Sequence, residues 1–439
     1  MRILALFTDA FGGRGGIAKF NRDLLTAFSA HPDCTELVAL PRLMVDNPGS
    51  VPSRISWRTD GLGGKLDYIR AVLRVARGST GGTQPRWTKQ NPVQAGFDLV
   101  ICGHLNLLPL AVLARRLAKG TRARARGQFG PTPYSRSGSA NRTAPSPPLV
   151  LIAHGVEAWR PHCSRWSDFL VNHIDALIAV SAFTRDRFLN WAPLENRPSF
   201  ILPNCTDPAR FRPGRKRLDL LQRYGLGGPV LMTLGRLCSA ERYKGVDEVL
   251  ELMPALTKES PKLSYLVAGD GDDRARLAAK ARSLHLAVAE PSTLGRHPAN
   301  VIFAGHIPEN EKPDHYRLAD AFVMPGWGEG FGIVYLEALA CGIPVVGSTL
   351  DASREVLQDC ESAFLVDPRG PDDIWNGICS ALAAPRGTVP ARVRAFARSN
   401  FNRQAHGLLE ELLGLGAGKT CRQKILAPPR DLGLSPCTT

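Results

Sequence analysis

Two glutamates, Glu329 and Glu337, stand with seven residues between them and frame a Gly-rich turn, Gly330-Phe331-Gly332. Carboxylates accept hydrogen bonds from hydroxyl groups. Glycines let backbone N–H groups come close to a ligand because no Cβ stands in the way. The residues from Phe331 to Ala340 read as a helix, whose first turn would present unpaired N–H donors and a partial positive charge to an anion such as a diphosphate. Upstream, Gly-Arg-Leu-Cys-Ser-Ala-Glu-Arg-Tyr-Lys-Gly carries Arg236 and Lys244. A guanidinium and an ammonium on one loop can neutralise two phosphates and stabilise a departing diphosphate. Taken singly, these features also fit a plain strand–helix turn and a solvated basic loop.

Other candidates are looser. His154 closes an apolar run in Ile-Ala-His-Gly-Val-Glu. There it could hydrogen-bond a sugar hydroxyl or buffer a proton, although a lone histidine is more often structural. Gly12, Gly13, Gly15 and Gly16 precede a helix at the first strand end. Their order does not fit the dinucleotide fingerprint, which weakens a hydride-transfer reading. Asp270-Gly271-Asp272 imitates an Asp-x-Asp metal site, but it follows a buried strand and precedes a helix. A turn followed by a helix N-cap explains it better, and no metal is expected.

The elements that must hold these residues alternate strand and helix, the pattern of parallel α/β sheets. Strand runs at Ile3–Phe7, Val38–Leu40, Asp98–Cys102, Leu149–Ala153, Ala176–Val180 and Phe200–Leu202 belong to a first unit. A second cycle begins after Pro213-Gly214, with strands at Val230–Leu234, Ser264–Ala268, Val301–Ala304, Asp320–Met324, Ile343–Gly347 and Phe364–Val366. Helices are expected at Ile17–Ala30, Leu107–Lys119, Val246–Thr257, Glu311–Leu318, Asp372–Ala383 and Val389–Leu413, among others. The candidate residues fall at carboxyl ends of strands, where open α/β sheets bind ligands. The division reads as 1–205, 206–385, a C-terminal helix at 386–413 that packs back on the first domain, and a flexible tail at 414–439. Residues 119–148 read as a disordered basic insertion and 285–298 as a lesser loop insertion.

The 439 residues carry 55 Lys and Arg against 40 Asp and Glu, a net +15 that favours anionic partners. Residues 119–148 alone hold six of the basic residues and no acidic one. The ten cysteines are scattered without Cys-x-x-Cys spacing, so neither a zinc site nor a disulfide framework is suggested. No stretch reaches the roughly 18–20 apolar residues of a spanning helix, and the N-terminus lacks the pattern of a signal peptide. A cytoplasmic location is expected, with peripheral contact to the inner face of the cell membrane.

Together the motifs resemble the family 4 retaining glycosyltransferases of the GT-B type: an α/β fold of two Rossmann-like domains facing across a cleft. Gly235-Arg236-Leu237 through Lys244-Gly245, Val267 to Gly271, Phe303-Ala-Gly-His-Ile307 and Glu329 through Glu337 carry the resemblance. Gly15-Gly16, His154-Gly155 and Pro203-Asn204 match more loosely. The resemblance implies that Arg236 and Lys244 bind the donor diphosphate and support its departure. Glu329 would hold the transferred sugar with Gly330 and the amides of Phe331 and Gly332 nearby, and Glu337 the ribose. Ile307 and Lys312 would meet the base, and Asp270 would line the donor site. Gly15 and Gly16 would approach the diphosphate from the other domain, and His154 the sugar. No cofactor or metal is implied, the nucleotide-diphosphate sugar being a co-substrate. The implied reaction moves a hexose from a UDP- or GDP-linked donor to a polysaccharide or lipid-linked saccharide by same-face attack. The insertion at 119–148 departs from the family pattern and leaves the acceptor side open.

Two rivals remain at the level of sequence. A nucleotide-sugar epimerase could share the fold, but it needs neither an acceptor nor the Glu-x7-Glu pattern. A nucleic-acid binder would use the positive charge, but the charge concentrates without interleaved aromatics or a recognisable module.

Overall fold

The computed structural model describes residues 1–78, 96–118, 146–161, 169–194, 196–295 and 298–415. The 119–148 insertion up to residue 145, and the tail from 416, lie outside these residues. The chain divides into two compact units: Met1–Pro203 joined by the chain from Ser399, and Asn204–Arg398.

The first unit carries a seven-stranded sheet with strands β1 (Arg2–Phe7), β2 (Glu36–Pro41), β3 (Ile55–Trp57), β4 (Leu99–Cys102), β5 (Leu149–Ala153), β6 (Ala176–Ala179) and β7 (Ser199–Ile201). Their order is β3-β2-β1-β4-β5-β6-β7, and every pairing is parallel. Leu99 to Cys102 and Leu149 to Ala153 are buried without interruption, because helices cover both faces of a parallel sheet. The Arg398–Leu415 helix belongs to this unit. His406 Nε2 donates to the Ala27 carbonyl at 2.9 Å, and Phe401 meets Phe20 edge-on at 6.0 Å.

The second unit repeats the plan with β8 (Val230–Leu234), β9 (Ser264–Ala268), β10 (Val288–Ala289), β11 (Val301–Gly305), β12 (Ala321–Val323), β13 (Val345–Ser348) and β14 (Ala363–Val366). The order is β10-β11-β9-β8-β12-β13-β14, again parallel throughout. In each sheet the chain starts in the middle and its two halves run outward from one pair of neighbours, β1 with β4 and β8 with β12, with β10 and β11 exchanged at the edge of the second sheet. Connections leave to opposite sides there, so the loops splay apart and open a crevice at the carboxyl ends.

Local departures from the sequence reading have physical reasons. The first helix runs Gly15–Ala30, so Gly15 and Gly16 form its first turn rather than a loop before it. The helix after the Gly-rich turn begins at Ile333, with Gly332 capping it at a left-handed φ of 84°. The 285–298 stretch contains the edge strand β10, which is too short to show a period. The expected Val389–Leu413 helix is two helices, Ala391–Ala395 and Arg398–Leu415. Between them the backbone pairs with Thr206: Thr206 N donates to Phe396 O at 2.9 Å, and Arg398 N donates to Thr206 O at 3.1 Å. Those bonds replace the i→i−4 bonds that would have continued the helix.

Candidate active site

At the switch point of the second sheet, the loops after β8 and β12 lie against each other through glycines. A Cβ on Gly245 would sit 2.6 Å from the Pro325 carbonyl, and one on Gly326 2.4 Å from the Tyr243 carbonyl. Trp327 N donates to that same Tyr243 oxygen at 2.9 Å. Only residues without side chains permit this approach, and it brings Lys244 and Glu329 onto one floor.

Lys244 crosses Gly235, whose Cβ would lie 3.5 Å from Nζ. Its ammonium meets Glu241 Oε2 at 2.6 Å, and Arg236 Nη2 pairs with the other oxygen of the same carboxylate. Arg236 is largely exposed, whereas Lys244 and Glu241 are mostly covered. Burial pushes the Glu329 carboxyl above its ordinary range; Lys244 pulls it back, Glu241 adds to the rise, and Arg236 opposes it. The four side chains thus form one electrostatic cluster of two cations and two carboxylates. A diphosphate entering it would compete with Glu241 for the two cations.

The Glu329 main chain is held from the loop after β13. Its N–H donates to Asp351 Oδ2 at 3.0 Å, and Ala352 N donates to its carbonyl at 3.1 Å. Gly330 is buried, and so is Phe331, which stacks edge-on against Phe396 at 5.6 Å. Tyr335, one turn into the Ile333–Ala340 helix, donates to the Met324 carbonyl at 2.6 Å and fixes the helix start.

Glu337 is 1 % exposed. Its Oε2 accepts a 3.0 Å bond from Tyr316 OH, and its Oε1 has no partner. A buried carboxylate oxygen without a donor is unfavourable, and a ligand hydroxyl would relieve it. Ile307 is buried in the loop after β11, and Lys312 pairs with Glu309 at 2.5 Å.

Asp270 is exposed and engaged locally, accepting from Gly271 N and Arg274 Nη1 at 2.8 Å each. Asp272 reaches across to the β8 loop, accepting from Ser239 N at 3.0 Å and Ser239 Oγ at 2.5 Å. The N-cap expectation for this pair is corrected: the Arg274–Ser283 helix has Asp273 at its cap and no side-chain cap bond. The two aspartates instead brace loops. Among the described residues, no group of three or more His, Cys, Asp or Glu side chains could hold a metal ion.

In the first unit, Gly15 and Gly16 are exposed at a helix N-terminus, and Gly15 has a φ of 86°. His154 is 8 % exposed at the end of β5, beside the switch point. Its Nε2 donates to the Gly103 carbonyl at 2.9 Å, and its ring meets Phe20 edge-on at 5.4 Å. That bond places the proton on Nε2 and leaves Nδ1 as an acceptor. Burial, opposed by Glu157, lowers its pKa to about 4. The lowered value holds the His154 ring in its neutral form, which favours the hydrogen-bonding expectation over the proton-buffer one.

Glu241, Asp351 and Tyr316 were not legible as site residues. Glu241 sits inside the quoted motif, where an acid between two bases was the available signal. Asp351 and Tyr316 act through bonds spanning 22 and 21 positions. No local pattern announces such pairs.

Comparison with known proteins agrees with this geometry. The profile of glycosyl transferases group 1 matches residues 228–384, the stretch that carries every site residue of the second unit. A GDP-mannose-dependent alpha-(1-6)-phosphatidylinositol monomannoside mannosyltransferase of Mycolicibacterium smegmatis is 31% identical over 356 residues, covering 75% of this chain and 88% of the relative. The lipopolysaccharide core mannosyltransferase LpsB of Rhizobium meliloti is 30% identical over 200 residues, which cover 44% of this chain and 50% of LpsB. Anabaena HepE, solved with UDP-glucose, superposes with a TM-score of 0.63 at 18% identity over 94% of this chain and all of HepE. The fold is GT-B, two parallel α/β domains. The chain belongs to the group 1 glycosyl transferases and is a glycosyltransferase.

Proposed function

We propose that this enzyme transfers a hexose, with retention of configuration and without a metal, from a nucleotide-diphosphate sugar to a saccharide or lipid-linked acceptor. The observation that carries the reading is the cluster at the β8/β12 switch point: Arg236 and Lys244 for the diphosphate, Glu329 for the sugar, and the unpartnered Oε1 of Glu337 for a ribose hydroxyl. Gly330, Phe331, Gly332, Ile307 and Lys312 complete the donor site, with Asp270 bracing it. On the first unit, His154, Gly15 and Gly16 are the candidate residues. The names of the relatives favour a mannosyl donor, with GDP-mannose printed for the Mycolicibacterium smegmatis enzyme.

The test is a thermal-shift and transfer assay with GDP-mannose, UDP-glucose and ADP-glucose. Donor at a hundredfold excess over its dissociation constant stabilises by about 2.7 kcal/mol. Glu329→Ala is expected to abolish transfer while the protein stays folded. Wild-type turnover in that variant would sink the assignment. The anomeric configuration of the product, read by NMR, decides retention.

An anionic membrane surface is the proposed location of the acceptor. On the first unit, Leu43 and Val45 are exposed apolar side chains after β2, and Leu66 and Ile69 are exposed on the Lys65–Ala76 helix next to exposed Lys65 and Arg70. Apolar insertion combined with cationic attraction is how peripheral proteins hold such surfaces. No helix among the described residues is long and apolar enough to cross a membrane. Co-sedimentation with phosphatidylglycerol vesicles, lost in neutral vesicles and in Leu43→Ser/Val45→Ser, is the expected result.

A further inference from the structure

Glu329 lies between Gly328 and Gly330. Neighbours without side chains leave its backbone nearly unrestrained, so local sequence cannot aim its carboxylate. The restraint comes from elsewhere. Asp351, 1 % exposed, accepts from Glu329 N with Oδ2 at 3.0 Å. Its Oδ1 accepts from Ser353 N at 3.0 Å and Ser353 Oγ at 2.6 Å. The next residue, Ala352, donates to the Glu329 carbonyl at 3.1 Å. Both backbone polar groups of Glu329 are thus committed to two consecutive residues of the loop after β13. Ser353 Oγ also accepts from Ser348 N at 3.3 Å, which ties the arrangement to the last residue of that strand.

We propose that Asp351 is a positioning residue for transfer, aiming the Glu329 carboxylate at the bound sugar by clamping its backbone. The proposal rests on the reading of Glu329 as the residue that holds the transferred sugar. Three observations favour this role over an ordinary loop cap. The clamp acts on the one residue of the Gly-rich loop that carries a carboxylate. It holds both the N–H and the C=O, which fixes the orientation of the peptide planes as well as their place. The N–H is held by a buried acid side chain, although a Ser or Asn would cap the same turn. Burial pushes the Asp351 carboxyl up to about 7; the Ser353 bonds oppose this, as does the Glu329 amide, while the Glu329 carboxylate adds to it. Tyr335 faces the same carboxylate from the Ile333–Ala340 helix, and Lys244, Arg236 and Glu241 face Glu329.

Asp351→Ala, Asp351→Asn, Ser353→Ala and Glu329→Ala are compared in the full-length enzyme, each well below its own melting temperature. Turnover, KM for the donor and calorimetric affinity for the free nucleoside diphosphate are measured. Misplacing a substrate-contacting group by about 1 Å costs roughly 100-fold in rate, so Asp351→Ala is expected to lose about that factor in kcat. Its nucleoside diphosphate affinity should stay within about twofold, because Asp351 bonds neither Arg236 nor Lys244. Ser353→Ala removes the 2.6 Å hydroxyl bond but leaves the Glu329 contact in place. It should keep kcat within about fivefold if the clamp on Glu329 is what matters. Asp351→Asn retains one acceptor and the shape of the side chain, and should recover part of the loss even if Asp351→Ala does not fold. Wild-type kcat in a folded Asp351→Ala or Asp351→Asn, or equal losses in Asp351→Ala and Ser353→Ala, would overturn the proposal. A fully active Glu329→Ala would bring down the sugar-holding reading and this proposal together. An inactive Glu329→Ala beside an active Asp351→Ala would bring down this proposal alone.

Discussion

Replacing Tyr316 by Phe isolates the contribution of one hydroxyl to a buried carboxylate. The ring stays, packed against Phe211 at 6.1 Å and Phe322 at 5.7 Å, so little apolar contact is lost. The hydroxyl donates to Glu337 Oε2 at 3.0 Å, while Oε1 already has no partner. After the substitution, a side chain that is 1 % exposed holds two oxygens without a donor. A hydrogen bond to a charged group contributes about 1.5–3 kcal/mol, and a buried charged group left unpaired sits at the upper end. We expect a loss of about 3 kcal/mol. For a unit of this size, each kcal/mol lowers the midpoint by about 2–4 °C, which gives roughly 6–12 °C in all. Differential scanning calorimetry of the ligand-free enzyme measures it. The control is Tyr316→Phe in a Glu337→Gln background, where the carboxyl group is gone and the loss should shrink by about 1–2 kcal/mol. A Tyr316→Phe midpoint within about 2 °C of wild type would rule out this contribution of the hydroxyl. It would mean that Glu337 does not depend on the Tyr316 hydroxyl as its donor.

Three further outcomes are expected. Lys244→Ala should weaken donor affinity by about 10- to 150-fold, the worth of a charge-assisted hydrogen bond, as read by titration calorimetry. His154, with its pKa lowered to about 4 from 6.5, binds fewer protons folded than unfolded across that window. Its contribution therefore falls as pH drops from 6.5 to 4, by about 3 kcal/mol in total, and urea unfolding of His154→Asn should lack that decline. Asp351 has the opposite sign. Its carboxyl, raised from 3.8 to about 7, keeps a proton in the folded state that the unfolded chain has released. Wild type should lose up to about 4 kcal/mol relative to Asp351→Asn as pH rises from 4 to 7, measured by denaturant unfolding of both proteins.

The two-sheet fold was readable because parallel strands buried on both faces need uninterrupted apolar runs, and those runs stand out in Leu99–Cys102 and Leu149–Ala153. Edge strands such as β10 were not readable, since two residues carry no period. The helix break at Ala397 was not readable either, because its cause is a pairing with Thr206, far away along the chain.

By itself, the sequence determined which chemical groups stand at strand ends: Arg236, Lys244, Glu329, Glu337 and His154. Their types and the glycines around them follow from local demands on backbone approach and charge. Tertiary structure decided what those groups are paired with. Tyr316 supplies the donor to Glu337, Gly103 sets the tautomer of His154, and Asp351 accepts from the backbone of Glu329. A hydrogen-bond partner is chosen by which strand ends the sheet order makes neighbours. That order depends on the packing of the whole domain, so no stretch of sequence around Glu329 could have named its clamp.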